Sequence, residues 1–304
     1  MTAKVFIDGE VGTTGLQIRA RLARRDDISL ISLSEADRKS RDARLAAFAK
    51  ADVAILCLPD AAVHDIAPDL RALPCRVIDA STAHRTDPDW EFGFAELDAG
   101  ARARIAAAKY VSNPGCYSTG AIALLRPMID AGLIAADHPI TINAISGYSG
   151  GGKAMIAEFE TGEVTGGFVY GTAQQHKHLP EIVARAGLAR KPIFVPQVGQ
   201  FAQGMIVQVP LHLAPGGPAA ALDALRTHYA GQHFVQVCAR AEMGDRINPQ
   251  RLNDTNRMEL TVDGDADSGA TVLIAVLDNL GKGASGAAVQ NLNLLLGRDE
   301  ALGL

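Results

Sequence analysis

VFIDGEVGTTGLQIRARLAR, residues 5–24, joins a short apolar run to an amphipathic one through three glycines. Residues 5–8 read as a strand and residues 16–24 as a helix. Gly9, Gly12 and Gly15 form G-x-x-G-x-x-G, one residue off the spacing G-x-G-x-x-G. A strand, a glycine turn and a helix in that order let the backbone approach a pyrophosphate and offer it free helix N-terminal N–H groups. Gly9, Gly12, Thr13, Thr14 and Gly15 are therefore candidates for dinucleotide binding; the competing reading is a structural turn.

Working outward, strand-like runs at 28–33, 52–58 and 76–80 alternate with helix-like runs at 43–50 and 61–73. That order predicts a parallel sheet with right-handed crossovers, and the unbroken apolar content of 52–58 predicts a strand covered on both faces. The second strand ends at Leu33-Ser34, followed by Glu35, Arg38 and Lys39. A hydroxyl and two cations suit a ribose 2′-phosphate, so Ser34, Arg38 and Lys39 favour NADP, while Glu35 leaves NAD open. Beyond about residue 115 the pattern changes. Strand-like runs at 140–146, 205–213, 233–239, 258–262 and 270–277 partly alternate polar and apolar residues, as an antiparallel sheet does. Residues 287–297 read as a helix, and 214–220 as a turn or mobile segment.

The 304 residues suit about two domains. A net charge of −5 with no Lys/Arg cluster excludes the electrostatic footprint of nucleic-acid binding. Residues 192–222 lack Asp, Glu, Lys and Arg but contain five prolines, so they predict strands and loops and no membrane span. The opening strand predicts no signal peptide, and four scattered cysteines predict no disulfide framework, together pointing to a cytoplasmic protein.

Ser112-Asn113-Pro114-Gly115-Cys116 precedes the apolar helical run 121–129. Pro114 and Gly115 break the chain, which places Cys116 in the first turn of that helix. A thiol there feels the positive end of the helix dipole, which favours the thiolate, and the same N–H groups suit an oxyanion. Cys57 and Cys238, in apolar strands, read as buried small hydrophobes. Gln175-His176-Lys177-His178-Leu179-Pro180-Glu181 supplies the proton acceptor that a thiol nucleophile needs, with Glu181 able to orient a ring; Pro180 suits the first turn of a helix. His-x-His with a cysteine also matches zinc, although nothing else has ligand spacing. Gly147-Tyr148-Ser149-Gly150-Gly151-Gly152-Lys153-Ala154 nearly matches a nucleotide-phosphate loop, but Ala154 replaces the Mg²⁺-binding hydroxyl. It reads better as a glycine loop that lets substrate or nicotinamide come close, with Ser146 and Gly147 as substrate-binding candidates.

Taken together, FIDGEVGTTG, SNPGCYSTG, SGYSGGGK, QHKHLPE and NLGKGASGAAVQN resemble the shorter type of the N-acetyl-γ-glutamyl-phosphate reductase family, within the semialdehyde dehydrogenase superfamily. The resemblance runs nearly end to end. It implies an α/β fold: a Rossmann-type NADP-binding domain (1–115, completed by a C-terminal helix in 286–304) and an α+β substrate domain (116–285) with an antiparallel sheet, as in glyceraldehyde-3-phosphate dehydrogenases. It implies NADPH-dependent reduction of N-acetyl-L-glutamyl 5-phosphate to the 5-semialdehyde through a cysteine thioester, in arginine biosynthesis, with release of inorganic phosphate and no metal. A homo-oligomer, dimer or tetramer, is expected. Cys116 would be the nucleophile and a histidine of 176–178 the acid/base. His178 is favoured because Glu181 lies one helical turn ahead, leaving His176 to hold substrate. Gly283 and Ala284 resemble the stretch that returns to the cofactor. Arg85 suits a substrate carboxylate, or else an exposed surface site. A related acyl-phosphate reductase of the aspartate-semialdehyde dehydrogenase kind, a non-catalytic NADP-binding regulator and a nucleotide hydrolase are the competing functions.

Overall fold

A computed structural model describes residues 2–304, and the chain divides into two compact units. The first comprises residues 1–95, 99–115 and 284–304; the second comprises 96–98 and 116–283.

In the first unit β1 (Ala3–Asp8), α1 (Thr13–Leu22), β2 (Ile28–Ile31), α2 (Arg41–Lys50), β3 (Val53–Leu56), α3 (Asp60–Leu70), β4 (Arg76–Asp79), β5 (Glu91–Phe92), α4 (Ala101–Ala107) and β6 (Tyr110–Ser112) follow one another. The sheet runs β2-β1-β3-β4-β6-β5, with every pairing parallel. The period of two along β1 explains its double coverage: Val5 and Ile7 enter one cluster with Ile18, Ile55 and Ile78, and Phe6 enters another with Phe48, Leu56 and Ile66. Each such side chain contributes about 1.5–3 kcal/mol on burial.

The second unit contains α5 (Cys116–Asp130), β7 (Thr141–Gly147), α6 (Gly152–Glu160), β8 (Phe168–Val169), α7 (Leu179–Ala186), β9 (Ile193–Gly199), β10 (Met205–His212), α8 (Gly217–His228), β11 (Val235–Val237), β12 (Met258–Gly264) and β13 (Ala270–Leu277). Its sheet runs β11-β12-β13-β10-β7-β9-β8. It is mixed, where the sequence predicts antiparallel: β7 with β9 and β11 with β12 pair parallel, the rest antiparallel. The last helix, α9 (Gly286–Leu295), belongs to the first unit, where Ala288, Val289, Leu292 and Leu295 seal the cluster around Val5.

Residues 214–220, expected as a turn, run into α8, which begins at Gly217 with Pro218 in its first turn. Proline lacks the N–H that the first turn leaves unpaired anyway. In α5, Pro127 removes the N–H that would reach Ala123 O. The Tyr229 hydroxyl donates to that carbonyl instead, at 2.9 Å.

Candidate active site

The second unit assembles the cysteine and the histidines. Cys116 is the first residue of α5 and is half-buried, while residues 117–125 behind it are all buried. The Tyr117 ring lies 5.9 Å, centre to centre, from both His176 and His178, and the two imidazoles are 4.7 Å apart. The Tyr117 hydroxyl donates to Gln197 O at 2.8 Å. His178, 5% exposed, is the residue before α7, and Glu181, one turn into that helix, is buried. Pro180 stands in the first turn of α7, and Gly187 closes the helix in the left-handed conformation at φ 78°.

His176 is braced from two sides. Its Nδ1 accepts the His178 backbone N–H at 3.1 Å, and Nε2 faces the Tyr170 hydroxyl at 3.4 Å. An Nδ1 that accepts from a backbone N–H carries no proton, so the neutral ring holds its proton on Nε2. Burial pushes the Tyr170 phenol up to about 12 and Tyr117 higher still; a Cys116 thiolate raises both further, so the sulfur lies within Coulombic reach of both rings. Both hydroxyls therefore stay protonated near neutrality and act as donors. Tyr170 carries no signal in the sequence beyond an aromatic ring six residues before His176.

Ser146 and Gly147 end β7 and lead into the glycine loop. Ser146 is buried and donates to Gly147 O at 3.1 Å. Ser149 in the same loop is held by Asn279 Nδ2 at 3.0 Å. Gly283 packs on Cys116 itself: a methyl built there would lie 2.8 Å from Cys116 Cβ. Among the described residues no group of three or more His, Cys, Asp or Glu is placed to hold a metal ion.

The first unit holds the glycine turn. Gly9 has φ +89°, and a methyl there would meet Cys57 O at 2.3 Å; one on Gly15 would meet Gly9 O at 2.4 Å. Only glycine closes this turn. α1 then starts at Thr13 with no side-chain cap, which leaves the amides of Thr13, Thr14 and Gly15 for an anion. Beside the turn is a groove of about 340 Å³ lined by Gly9, Glu10, Glu35, Arg38, Lys39 and Arg44, among others. Buried Glu10 pairs with Arg19 at 2.6 Å and Arg38 at 3.4 Å. Asp8 binds Arg44 at 2.8 Å, yet burial outweighs that pairing and its carboxyl titrates above the usual range. The Ser34 hydroxyl, expected at a 2′-phosphate, donates to Asp37 Oδ2 at 2.7 Å. A glycine-only turn, an uncapped helix start and two cations on the wall fit a phosphorylated dinucleotide.

Arg85 is not the exposed residue allowed for in the sequence. It is 6% exposed, and its guanidinium donates to Asn113 O at 2.9 Å and Ala80 O at 3.5 Å. Asn113 is further held by Asn291 Nδ2 at 3.1 Å and donates to Ala284 O at 3.0 Å, so Arg85 and Ala284 both belong to a polar knot three residues before the cysteine. Cys57 is half-buried, not buried as the sequence predicts, while Cys75 and Cys238 are buried; desolvation raises all three thiols, Cys57 to about 12 with help from Asp79 and Asp8.

Two family models cover most of the chain: the semialdehyde dehydrogenase NAD binding domain over residues 21–106 and the semialdehyde dehydrogenase dimerisation domain over 116–279. The chain is 52% identical to the N-acetyl-gamma-glutamyl-phosphate reductases of Brucella ovis and Brucella abortus, across 98% of its own length and all of theirs. Aspartate semialdehyde dehydrogenase II from Vibrio cholerae shares the fold, with a TM-score of 0.73 at 18% identity over 98% of this chain and 99% of that one. The NADP-bound aspartate semialdehyde dehydrogenase from Candida albicans does so at a TM-score of 0.65 and 14% identity, over 97% and 99% of the two chains. The chain belongs to the semialdehyde dehydrogenase family, among the N-acetyl-gamma-glutamyl-phosphate reductases.

Proposed function

We propose that the chain reduces N-acetyl-L-glutamyl 5-phosphate to N-acetyl-L-glutamate 5-semialdehyde with NADPH, on the route from glutamate to arginine, and that Cys116 is its nucleophile. The observation that carries this reading is the half-buried thiol at the start of α5, beside a tyrosine that touches both histidines. The 52% identity to reductases of that name supports the substrate.

The Cys116 sulfur attacks the acyl carbon. A carbon–sulfur bond forms, the carbon–oxygen bond to the phosphate breaks, and the phosphate leaves with that electron pair. The positive end of the α5 dipole stabilises the charge that builds on the carbonyl oxygen. His178 takes the thiol proton and passes it to the departing phosphate, with Glu181 orienting the ring. His176 helps hold the substrate through Tyr170: its Nε2–H donates to the Tyr170 oxygen, and the Tyr170 O–H is the donor offered to the substrate, which Ser146 and Gly147 flank. NADPH, when bound, supplies the hydride that brings the acyl carbon to the aldehyde level. The carbonyl then re-forms as the carbon–sulfur bond breaks, and Cys116 departs as the thiolate.

Residues 1–115 with 286–304 form the dinucleotide-binding domain and 116–285 the catalytic domain in this reading. Gly9, Thr13, Thr14 and Gly15 would hold the pyrophosphate through their amides, with Gly12 closing the turn by donating its N–H to Gly9 O at 3.0 Å; Ser34, Arg38 and Lys39 would hold the 2′-phosphate, and Gly283 and Ala284 would form the stretch returning to the cofactor. Arg85, which donates to Asn113 O, would also meet the substrate carboxylate. The match to a dimerisation domain supports a homo-oligomer, dimer or tetramer. Among the described residues no helix is long and apolar enough to cross a membrane, which accords with a cytoplasmic enzyme.

The test is phosphate-dependent NADP⁺ reduction with N-acetylglutamate semialdehyde beside aspartate semialdehyde. The first substrate should be strongly preferred, and Cys116→Ser should lower kcat at least about a thousandfold while NADPH still binds. Preference for aspartate semialdehyde, or substantial turnover by the variant, would falsify the proposal.

A further inference from the structure

Gly281–Ser285 stands out in the sequence, and the chemistry above gives its lysine no task. The segment is a π-helical turn, a geometry found mostly as single turns and frequently at functional positions. Within the second unit several bonds fix it. The Gly283 N–H donates to Asp278 O at 2.9 Å. The fully buried Asp278 carboxylate accepts from the backbone N–H groups of Leu280 (2.9 Å) and Asp254 (2.8 Å) and from Gln203 Nε2 (2.6 Å). Lys282 then sends its ammonium to Glu96 Oε2 at 2.7 Å, with side chains 1% and 0% exposed, and the charge lies 5.6 Å from the centre of the Phe234 ring.

Gly283 is the residue these anchors aim. A methyl there would sit 2.8 Å from Cys116 Cβ and 3.1 Å from its Cα, so the turn forms the floor on which the nucleophile stands. A buried ion pair is a poor source of stability, because two apolar side chains of similar volume usually hold as well or better. What it supplies is direction: a 2.7 Å contact fixes where residue 282 sits, and the next residue with it.

We propose that Lys282 and Glu96 are positioning residues for the nucleophile: their ion pair sets the π-turn that packs Gly283 against Cys116 and so fixes the direction from which the sulfur meets the acyl carbon. The inference rests on the reading of Cys116 as the nucleophile.

The experiment replaces the pair by apolar side chains, Lys282→Met with Glu96→Leu, in the full-length protein. The melting temperature should stay close to the parent's. In steady-state assays kcat should fall about 10- to 100-fold, the scale of a small misplacement at a reacting centre. KM should stay within about twofold, and the rate of Cys116 alkylation by iodoacetamide should fall in step with kcat. A merely structural pair would move the melting temperature and leave kcat per titrated active site unchanged. Parental kcat and alkylation rate in the double variant overturn the inference. Should the double variant not fold, Lys282→Arg and Glu96→Asp keep both charges and alter only reach. Each should lower kcat at constant KM, and parental kcat in both overturns the inference. Cys116→Ser, assayed alongside, separates the two readings. If it retains activity, the nucleophile is misassigned; if it is inactive while the pair variants are normal, the positioning role alone fails.

Discussion

α1 and α5 each open directly after a glycine, at Gly12–Thr13 and Gly115–Cys116, yet they present opposite surfaces. At α1 the useful groups are main-chain amides, so side chains must be absent: a methyl on Gly9 or Gly15 would strike backbone oxygens at 2.3 and 2.4 Å. At α5 the useful groups are side chains: Cys116 and Tyr117 stand on the helix itself, while Tyr170, His176, His178 and Glu181 come from far along the chain. A backbone site is specified by what its sequence leaves off. A side-chain site is specified by what the fold brings in.

Replacing one imagined contributor at a time probes that contrast. At the α5 site, His178→Asn should lower kcat about 100-fold or more, with the NADPH dissociation constant unchanged by fluorescence titration. A more severe His176→Asn would exchange the roles of the two rings. At the α1 site, Gly9→Ala meets both a positive φ and the Cys57 carbonyl, and should destabilise the protein by about 3 kcal/mol in urea melts while weakening NADPH binding. A parental urea midpoint would show that the turn does not depend on glycine. Tyr170→Phe removes one hydroxyl from His176 and should cost up to about tenfold in kcat, the worth of a single hydrogen bond. No change would leave that tyrosine a packing residue. The smallest expected effect is at Cys57, whose thiol is pushed up to about 12. Brief iodoacetamide treatment at pH 8, followed by peptide mapping, should modify Cys116 and leave Cys57 intact. Comparable labelling of both would remove the distinction between a helix-start thiol and one raised by desolvation and nearby carboxylates.

The same contrast sorts what the sequence discloses. The glycine turn, the alternating strands of the first unit and the helix-opening cysteine are legible because their signals are local: spacing, periodicity and chain breakers. β13 coincides with its predicted run at 270–277. The parallel pairing of β7 with β9 is not legible, because register between segments some fifty residues apart is settled by packing and leaves no periodic trace. α8 was hidden by Pro215 and Pro218, which mark a turn and a helix start equally well. Nor does a sequence reveal that Lys282 meets Glu96, 186 positions away, or that Arg85 donates to the Asn113 carbonyl. The H-x-H segment announces a proton carrier, while the tyrosine that braces it emerges only in three dimensions.

The proline within α5 has an effect beyond its own turn. Without an amide at position 127, the helix is one bond short, and a phenol just past the end of α8, 106 residues beyond Ala123, supplies the donor. The helix that opens with Cys116 is thus tied by its one gap to a late stretch of the same unit, so a change at Tyr229 would be felt along α5.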